Sequence, residues 1–219
     1  MSMQKPEKVI CPCGREFEAE LWNAINISED PDLKELVIAG EVNVVCCPEC
    51  GTLFYAEHFL LYQDSDTEIL AFVYPSEFEK DASHWHKKMI TDFNKAMAAL
   101  EADARIRYQP LLLFGLNALV DLIRNDEDEN DEAAVLSHVC GEAGVHLLHL
   151  HPSITRAQQL VKILPYVPNP GASLRDQVLA GLEKLIAYNP HLVRYKENRA
   201  LIVANKSWSL DGAAIKKMK

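Results

Sequence analysis

The first third of the chain alternates. In "GREFEAELWNAIN" the apolar residues Phe17, Ala19 and Leu21 fall on every second position, which predicts a strand with one buried face. "EKVICP" before it is a short β-type run ending in a turn, and "EVNVVCCP" is β-branched and extended. "GTLFYAEHFLLYQD" and "EILAFVYP" read as two more strands separated by the polar turn "DSDT". One helix interrupts them, "DPDLKELVIAG", with Asp30 as N-cap, Pro31 at the first helical position and Gly40 after its end.

Beyond Pro75 the period changes. Trp85, Met89, Phe93, Ala96, Leu100 and Ala104 recur at spacings of three and four, predicting a long helix over 77–107. "PLLLFGLNALVDLIRN" predicts a second helix and "DEAAVLSHVCGEAGVHLLHLHP" a third. The acidic run "DEDENDE", residues 126–132, is expected to be a solvated loop. "TRAQQLVKILPYV" and "SLRDQVLAGLEKLIAYNP" predict a helical pair joined by the stiff connector "PYVPNPGA". The last segment, "RALIVANKSWSLDGAAIKKMK", predicts a strand or short helix and then a basic tail.

Charge narrows the function classes. Residues 1–75 hold 4 Lys/Arg against 14 Asp/Glu, whereas residues 76–219 hold 18 of each, so the net charge of −10 belongs to the front of the chain. Such a module repels phosphate backbones, which argues against nucleic-acid binding and leaves an acidic partner-binding face or simple solubility as its use. No apolar run approaches the roughly 20 residues of a membrane span. The longest, "QPLLLFGLNALVDLI", contains Asn117 and Asp121. The opening "MSMQKPEKV" has no apolar h-region, so the expected compartment is the cytoplasm, where clustered cysteines stay reduced.

Those cysteines carry the chemistry. Cys47-Pro48-Glu49-Cys50-Gly51 has the form of a zinc knuckle. Two sulfurs at about 2.3 Å from one tetrahedral zinc must lie within about 4 Å of each other, so the chain has to turn tightly between them. Pro48 presets such a turn, and Gly51 can take positive φ after it. Cys11-Pro12-Cys13-Gly14 has the same ingredients with one residue fewer. Two such turns, about 33 residues apart, give a four-thiolate zinc site of Cys11, Cys13, Cys47 and Cys50. Cys46 points away from Cys47 on an extended run and is expected to be a buried strand residue, with a spare ligand or oxidisable thiol as alternatives. Dithiol catalysis is disfavoured, because a redox C-x-x-C opens a helix and Gly51 is followed by the β-type "TLFYAEHF".

The order of "INISEDPDLKELVIAGEVNVVCCPECG", "LLYQD" and "AFVYP" resembles the CpXC domain family of bacterial proteins, with its paired CPxC motifs. The resemblance covers about residues 8–75 and extends into "PLLLFGLNALVDLI", similar to an "FG…L…I" segment that follows the domain. It departs at "CPCG", one residue shorter than CPxCG, at the position of Cys13. The resemblance implies a structural metal module and no particular activity.

His138, Cys140, His146, His149 and His151 suggest a second metal site or a catalytic histidine, but no H-E-x-x-H pattern accompanies them and the interleaved Leu147, Leu148 and Leu150 favour core packing. His84 and His86 flank Trp85 and read as surface around a core residue. The expected fold is α+β: a zinc-ribbon-like β module with a short inserted helix over 1–75, then an all-α helical domain over 76–219. The expected function is a non-enzymatic protein-interaction or adaptor module with a structural Zn²⁺ site, acting on a protein partner or on itself. An enzyme using the His-rich half and a thiol or zinc redox sensor are the alternatives.

Overall fold

The computed structural model describes residues 2–216. The chain folds as two compact units, Met1–Asn125 and Asp126–Lys219. The fold is mixed α and β, as the change of hydrophobic period implies. That change lies ahead of the division at Asn125, because a helix and a strand after residue 76 belong to the first unit.

The first unit is built on a five-stranded sheet of order β1-β2-β5-β6-β7: β1 is Met3–Ile10, β2 Glu16–Asn26, β5 Leu60–Asp64, β6 Ile69–Tyr74 and β7 Leu111–Phe114. β1 and β2 form an antiparallel hairpin, whereas β2 meets β5 in parallel only over Ala24–Asn26. The Glu16–Asn23 part of the hairpin therefore lies outside the β2–β5 pairing. A separate ribbon pairs β3, Val44–Cys46, with β4, Leu53–Tyr55.

All six residues of β6 are buried, which explains its unbroken apolar "ILAFVY". Ile69, Ala71 and Val73 face a core completed by Leu33 and Val37 of helix α1 (Leu33–Ala39) and by Leu116, Leu119, Val120 and Ile123. Leu70, Phe72 and Tyr74 face the other side, against Met89 and Phe93 of helix α2 (Ala82–Ala99). The alternation of a strand thus feeds two cores at once. The stripe predicted over 77–107 is α2 preceded by a 3₁₀ segment, Ser76–Asp81, and it stops at Leu100, short of Ala104.

Within 76–219 the structure corrects the all-α expectation, because strands lie there among the described residues. "PLLLF" is β7, paired in parallel with β6, and the helix begins only after Gly115, whose N–H donates to Tyr74 O at 2.8 Å. The helix that follows, α3, runs Leu116–Ala143 through the acidic run, so 126–132 is helical and not a loop. It ends at Gly144, and "HLLH" is strand β8, His146–His149, antiparallel to β9, Ile163–Tyr166. Of the segment "TRAQQLVKILPYV", only the start is helical, in α4, Pro152–Gln158, and the rest leads into β9. α5 (Leu174–Tyr188) and α6 (Val193–Ala204) complete the second unit. The basic tail beyond Lys216 lies outside the described residues.

The acidic run has a structural use. Asp126, Glu129 and Glu132 share one face of α3 at a spacing of three. Asp126 is 4% exposed and Lys162 8%, and Lys162 Nζ lies 2.9 Å from Asp126 Oδ2 while donating to Asp126 O at 2.7 Å and Asn130 Oδ1 at 2.8 Å. Arg156 reaches the other Asp126 oxygen at 3.2 Å, and Arg194 bridges Glu129 and Glu132. Three cations are thereby docked on the helix, around a core that includes Leu136, Cys140, Leu164, Leu182, Tyr195 and Ile202.

Two expected outcomes follow for the second unit. Lys162→Ala leaves a buried carboxylate short of its main partner and should cost about 3–5 kcal/mol. Gly181→Ala places a Cβ 2.4 Å from the Pro165 carbonyl carbon and oxygen, where α5 crosses β9. Since the obstacle is backbone, about 1–3 kcal/mol or more is expected to be lost. Denaturant unfolding followed by circular dichroism measures both, and wild-type midpoints would refute the packing described.

Candidate metal centre

Both cysteine pairs sit at hairpin tips. Ile10 pairs with Glu16 at the end of the β1–β2 hairpin, and the loop beyond closes with Cys11 N–H donating to Arg15 O at 2.9 Å and Gly14 N–H to Cys11 O at 2.8 Å. Cys46 pairs with Leu53, and the second loop closes with Cys47 N–H donating to Thr52 O and Gly51 N–H to Cys47 O, both at 2.9 Å. Gly14 and Gly51 take φ of 90° and 71°, a region costly for other residues. The two loops are the same device, and the shorter C-x-C of the first still turns.

A small core clamps the hairpins together. Val9, Phe17, Ala19 and Leu21 of the first pack against Val45, Phe54 and Ala56 of the second, with Phe17 and Phe54 edge to face at 6.2 Å between centroids. Asn43 adds a polar clamp that sequence reasoning missed. It is buried with φ of 60°, its Oδ1 accepts from Trp22 N–H at 2.7 Å, and its Nδ2 donates to Trp22 O at 3.1 Å. Its own carbonyl accepts from Ala56 N–H at 2.9 Å. One side chain thus mimics a neighbouring strand for β2 and holds the start of β3 against it. The only signal in the sequence is an Asn in "GEVNVV", a residue that tolerates left-handed backbone.

The result is a convergence of sulfur. The Sγ atoms of Cys11, Cys13, Cys47 and Cys50 all lie within 4.8 Å of one another. Cys11 and Cys50 are 3.7 Å apart, and Cys13 and Cys47 3.8 Å. A disulfide requires about 2.05 Å, so these are separate thiols. Four ligands at about 2.3 Å around a tetrahedral ion have edges of about 3.8 Å, so the cross-hairpin spacings suit one metal ion. Cys11 and Cys47 are buried, Cys13 and Cys50 exposed. The Cys13 N–H points at Cys11 Sγ at 3.5 Å, an amide-to-sulfur contact that supports a thiolate.

The environments of the four differ. Cys50 Sγ lies 3.2 Å from the Thr52 hydroxyl, whose interaction with the sulfur lowers its pKa to about 6. Burial pushes Cys11 up to about 12, opposed by the Cys13 N–H and aided by side-chain contacts with Cys13, Cys47 and Cys50. Four thiolates this close require a cation between them.

The remaining sequence candidates are placed elsewhere. Cys46 does point away from Cys47, but it is exposed and not buried, with its Sγ 3.6 Å from Gly51 O. The outer face of the two-stranded ribbon is open: Val44 and Leu53 beside Cys46 are 41% and 69% exposed. His146 and His149 lie on β8 at an odd spacing, so they face opposite sides of a strand and do not share a helix face. His138 is on α3 and His151 precedes α4. Among the described residues they form no metal-holding group. His149 is lowered by burial and by Lys216, and burial raises Cys140 to about 11, as for a packed thiol and not a nucleophile.

Two β-hairpins that each deliver a pair of thiols to one point define a ribbon-type four-cysteine module set on an α/β scaffold. A family model described as CpXC protein matches residues 9–136, more than half of the chain, and the chain belongs to that family. The match includes both knuckles, the five-stranded sheet from the end of β1 to β7, and much of α3. No curated protein and no solved structure matches the chain. Among the described residues no helix is long and apolar enough to cross a membrane.

Replacing Asn43 by Ala removes both Trp22 bonds and leaves a non-glycine residue at positive φ. A loss of about 2–3 kcal/mol is expected, with the backbone amide of Trp22 becoming fast in hydrogen exchange. Unchanged stability and exchange would show that the hydrophobic clamp alone positions the second hairpin.

Proposed function

We propose that Cys11, Cys13, Cys47 and Cys50 bind a single structural Zn²⁺, and that the protein acts as a non-enzymatic interaction or adaptor module. The observation that carries the metal assignment is the 3.7 and 3.8 Å spacing of sulfurs delivered by two separate hairpins. An all-sulfur tetrahedral donor set favours zinc over hard cations such as magnesium or calcium. Four protein ligands fill the tetrahedron and leave no position for a hydrolytic water, which supports a structural role. A compartment that keeps the thiols reduced, the cytoplasm by default, suits such a site.

The adaptor reading draws on the surface around the knuckles. Ile10, immediately before Cys11, is 65% exposed, and Leu53 beside the second knuckle is 69% exposed. Apolar side chains displayed on a metal-pinned ribbon, within the strongly acidic front of the chain, suit a protein partner or a second copy.

Protein purified without added metal should contain about one zinc per chain by elemental analysis, and Cys47→Ser should lose most of it. Chelation of the wild type should lower the unfolding temperature of the first unit, because apparent binding free energies at such sites are about 10–16 kcal/mol at pH 7. Sub-stoichiometric zinc that is equal in wild type and variant would sink the metal assignment. A monomer on size exclusion that also captures nothing from native lysate would sink the adaptor reading.

A further inference from the structure

The first unit has another concave feature, apart from the sulfur cluster. A cavity of about 470 Å³ opens where the end of β6 meets the start of α2. Aromatic rings form its wall. Phe59 and Tyr74 are 5.0 Å apart between centroids, Tyr74 and Trp85 4.6 Å, and Trp85 and Phe78 stack at 4.4 Å with only 2° between their planes. Phe59, Phe78 and Trp85 are only partly buried, although together they would close a core if anything covered them.

Charge surrounds this wall. Glu57, Glu77 and Asp92 line the cavity together with Lys88. Lys88 Nζ lies 2.6 Å from Asp92 Oδ2 one helical turn away, so those two charges neutralise each other. Glu57 and Glu77 remain. Glu57 is fixed in place: its oxygens accept from Ser76 N–H at 3.1 Å and from Ser76 Oγ at 2.6 Å. A carboxylate has about four acceptor sites, so two are left for a ligand. The nearby His58 is turned to Glu7, at 3.3 Å.

Ring faces carry negative potential, and the carboxylates add to it, so the cavity suits a cation. The kind of cation follows from the shape. A quaternary ammonium would use the rings and leave the carboxylates without donors. A primary ammonium is a compact, strongly hydrated point charge that cannot lie flat on a ring. A guanidinium is planar, stacks on aromatic faces and presents a fork of N–H donors to a carboxylate, so it uses both halves of the site. We propose that this cavity binds a guanidinium group, supplied by an arginine side chain of a partner protein. The inference deepens the adaptor reading and rests on it only for the source of the arginine.

The test follows the Trp85 indole N–H by NMR in the full chain, with its signal assigned by its loss in Trp85→Phe. The titrants are a capped Gly-Arg-Gly peptide, the same peptide with citrulline, which is isosteric and uncharged, and agmatine. The arginine peptide and agmatine should shift the signal saturably, at least about tenfold more tightly than the citrulline peptide, and more weakly as salt rises. Glu77→Gln changes an exposed side chain and leaves the ring stack intact; it should reduce the arginine preference several-fold. Equal affinities for arginine and citrulline, no shift with either, or no effect of Glu77→Gln would overturn the proposal. Guanidinium binding by a chain that captures no partner would remove the adaptor reading and leave the pocket standing. Captured partners with no guanidinium effect would do the reverse.

Discussion

Sulfur repels sulfur when ionised, and four sulfurs within 4.8 Å can be thiolates together only around a cation. That constraint organises the front of the molecule. The ribbon of β3 and β4 has three residues a side, too short to hold itself in water. Its attachment comes from the Phe17–Phe54 core and from Asn43, and the four sulfurs converge at its tip. The glycines after each pair serve the same end, because a turn tight enough to juxtapose two thiols needs left-handed backbone at its close. Each tip sets one thiol in the interior and one at the surface: Cys11 and Cys47 are buried, Cys13 and Cys50 exposed.

Behind the ribbon, the sheet depends on β6. A strand buried on both faces serves as a wall for two cores, and its neighbours on either side are antiparallel β5 and parallel β7. The parallel partner requires a crossover, and α2 supplies it. Where β6 ends and α2 begins, the crossover leaves Phe78 and Trp85, packed beside the buried Tyr74, half covered. The same connection that closes the sheet therefore creates the cavity for which a guanidinium ligand is proposed. The knuckles and the cavity are separate features of one scaffold, each with its own chemistry.

In the second unit, electrostatics works beside an apolar core. A helix carrying Asp126, Glu129 and Glu132 on one face would repel itself if left in isolation. It is matched by Lys162, Arg156 and Arg194 from segments far along the chain. The nearly buried Asp126–Lys162 pair is held by further bonds to Asp126 O and Asn130, and it fixes the approach to β9.

What the sequence by itself determined was local. Alternation in Phe17, Ala19 and Leu21, the Gly40 stop of α1 and the knuckle spacing of the cysteines are each settled within a dozen residues, by side-chain direction and turn chemistry, whereas the N-cap of α1 is Asp32 and not Asp30. The meeting of the four thiols was legible because a C-P-x-C turn makes little sense without a shared ligand. What only tertiary structure decided involves partners distant in sequence. "PLLLF" is strand and not helix because β6 offers it an open edge, and "HLLH" likewise because β9 pairs with it. The acidic run is helix and not loop because cations far along the chain neutralise one face of it, from Arg156, 30 residues beyond Asp126, to Arg194, 65 beyond Glu129. Cys46 is exposed because its side of a two-stranded ribbon is left open, and Asn43 became a clamp only when Trp22 came beside it. Short apolar runs fit helix and strand equally well, so the choice passes to whichever neighbour satisfies their backbone hydrogen bonds.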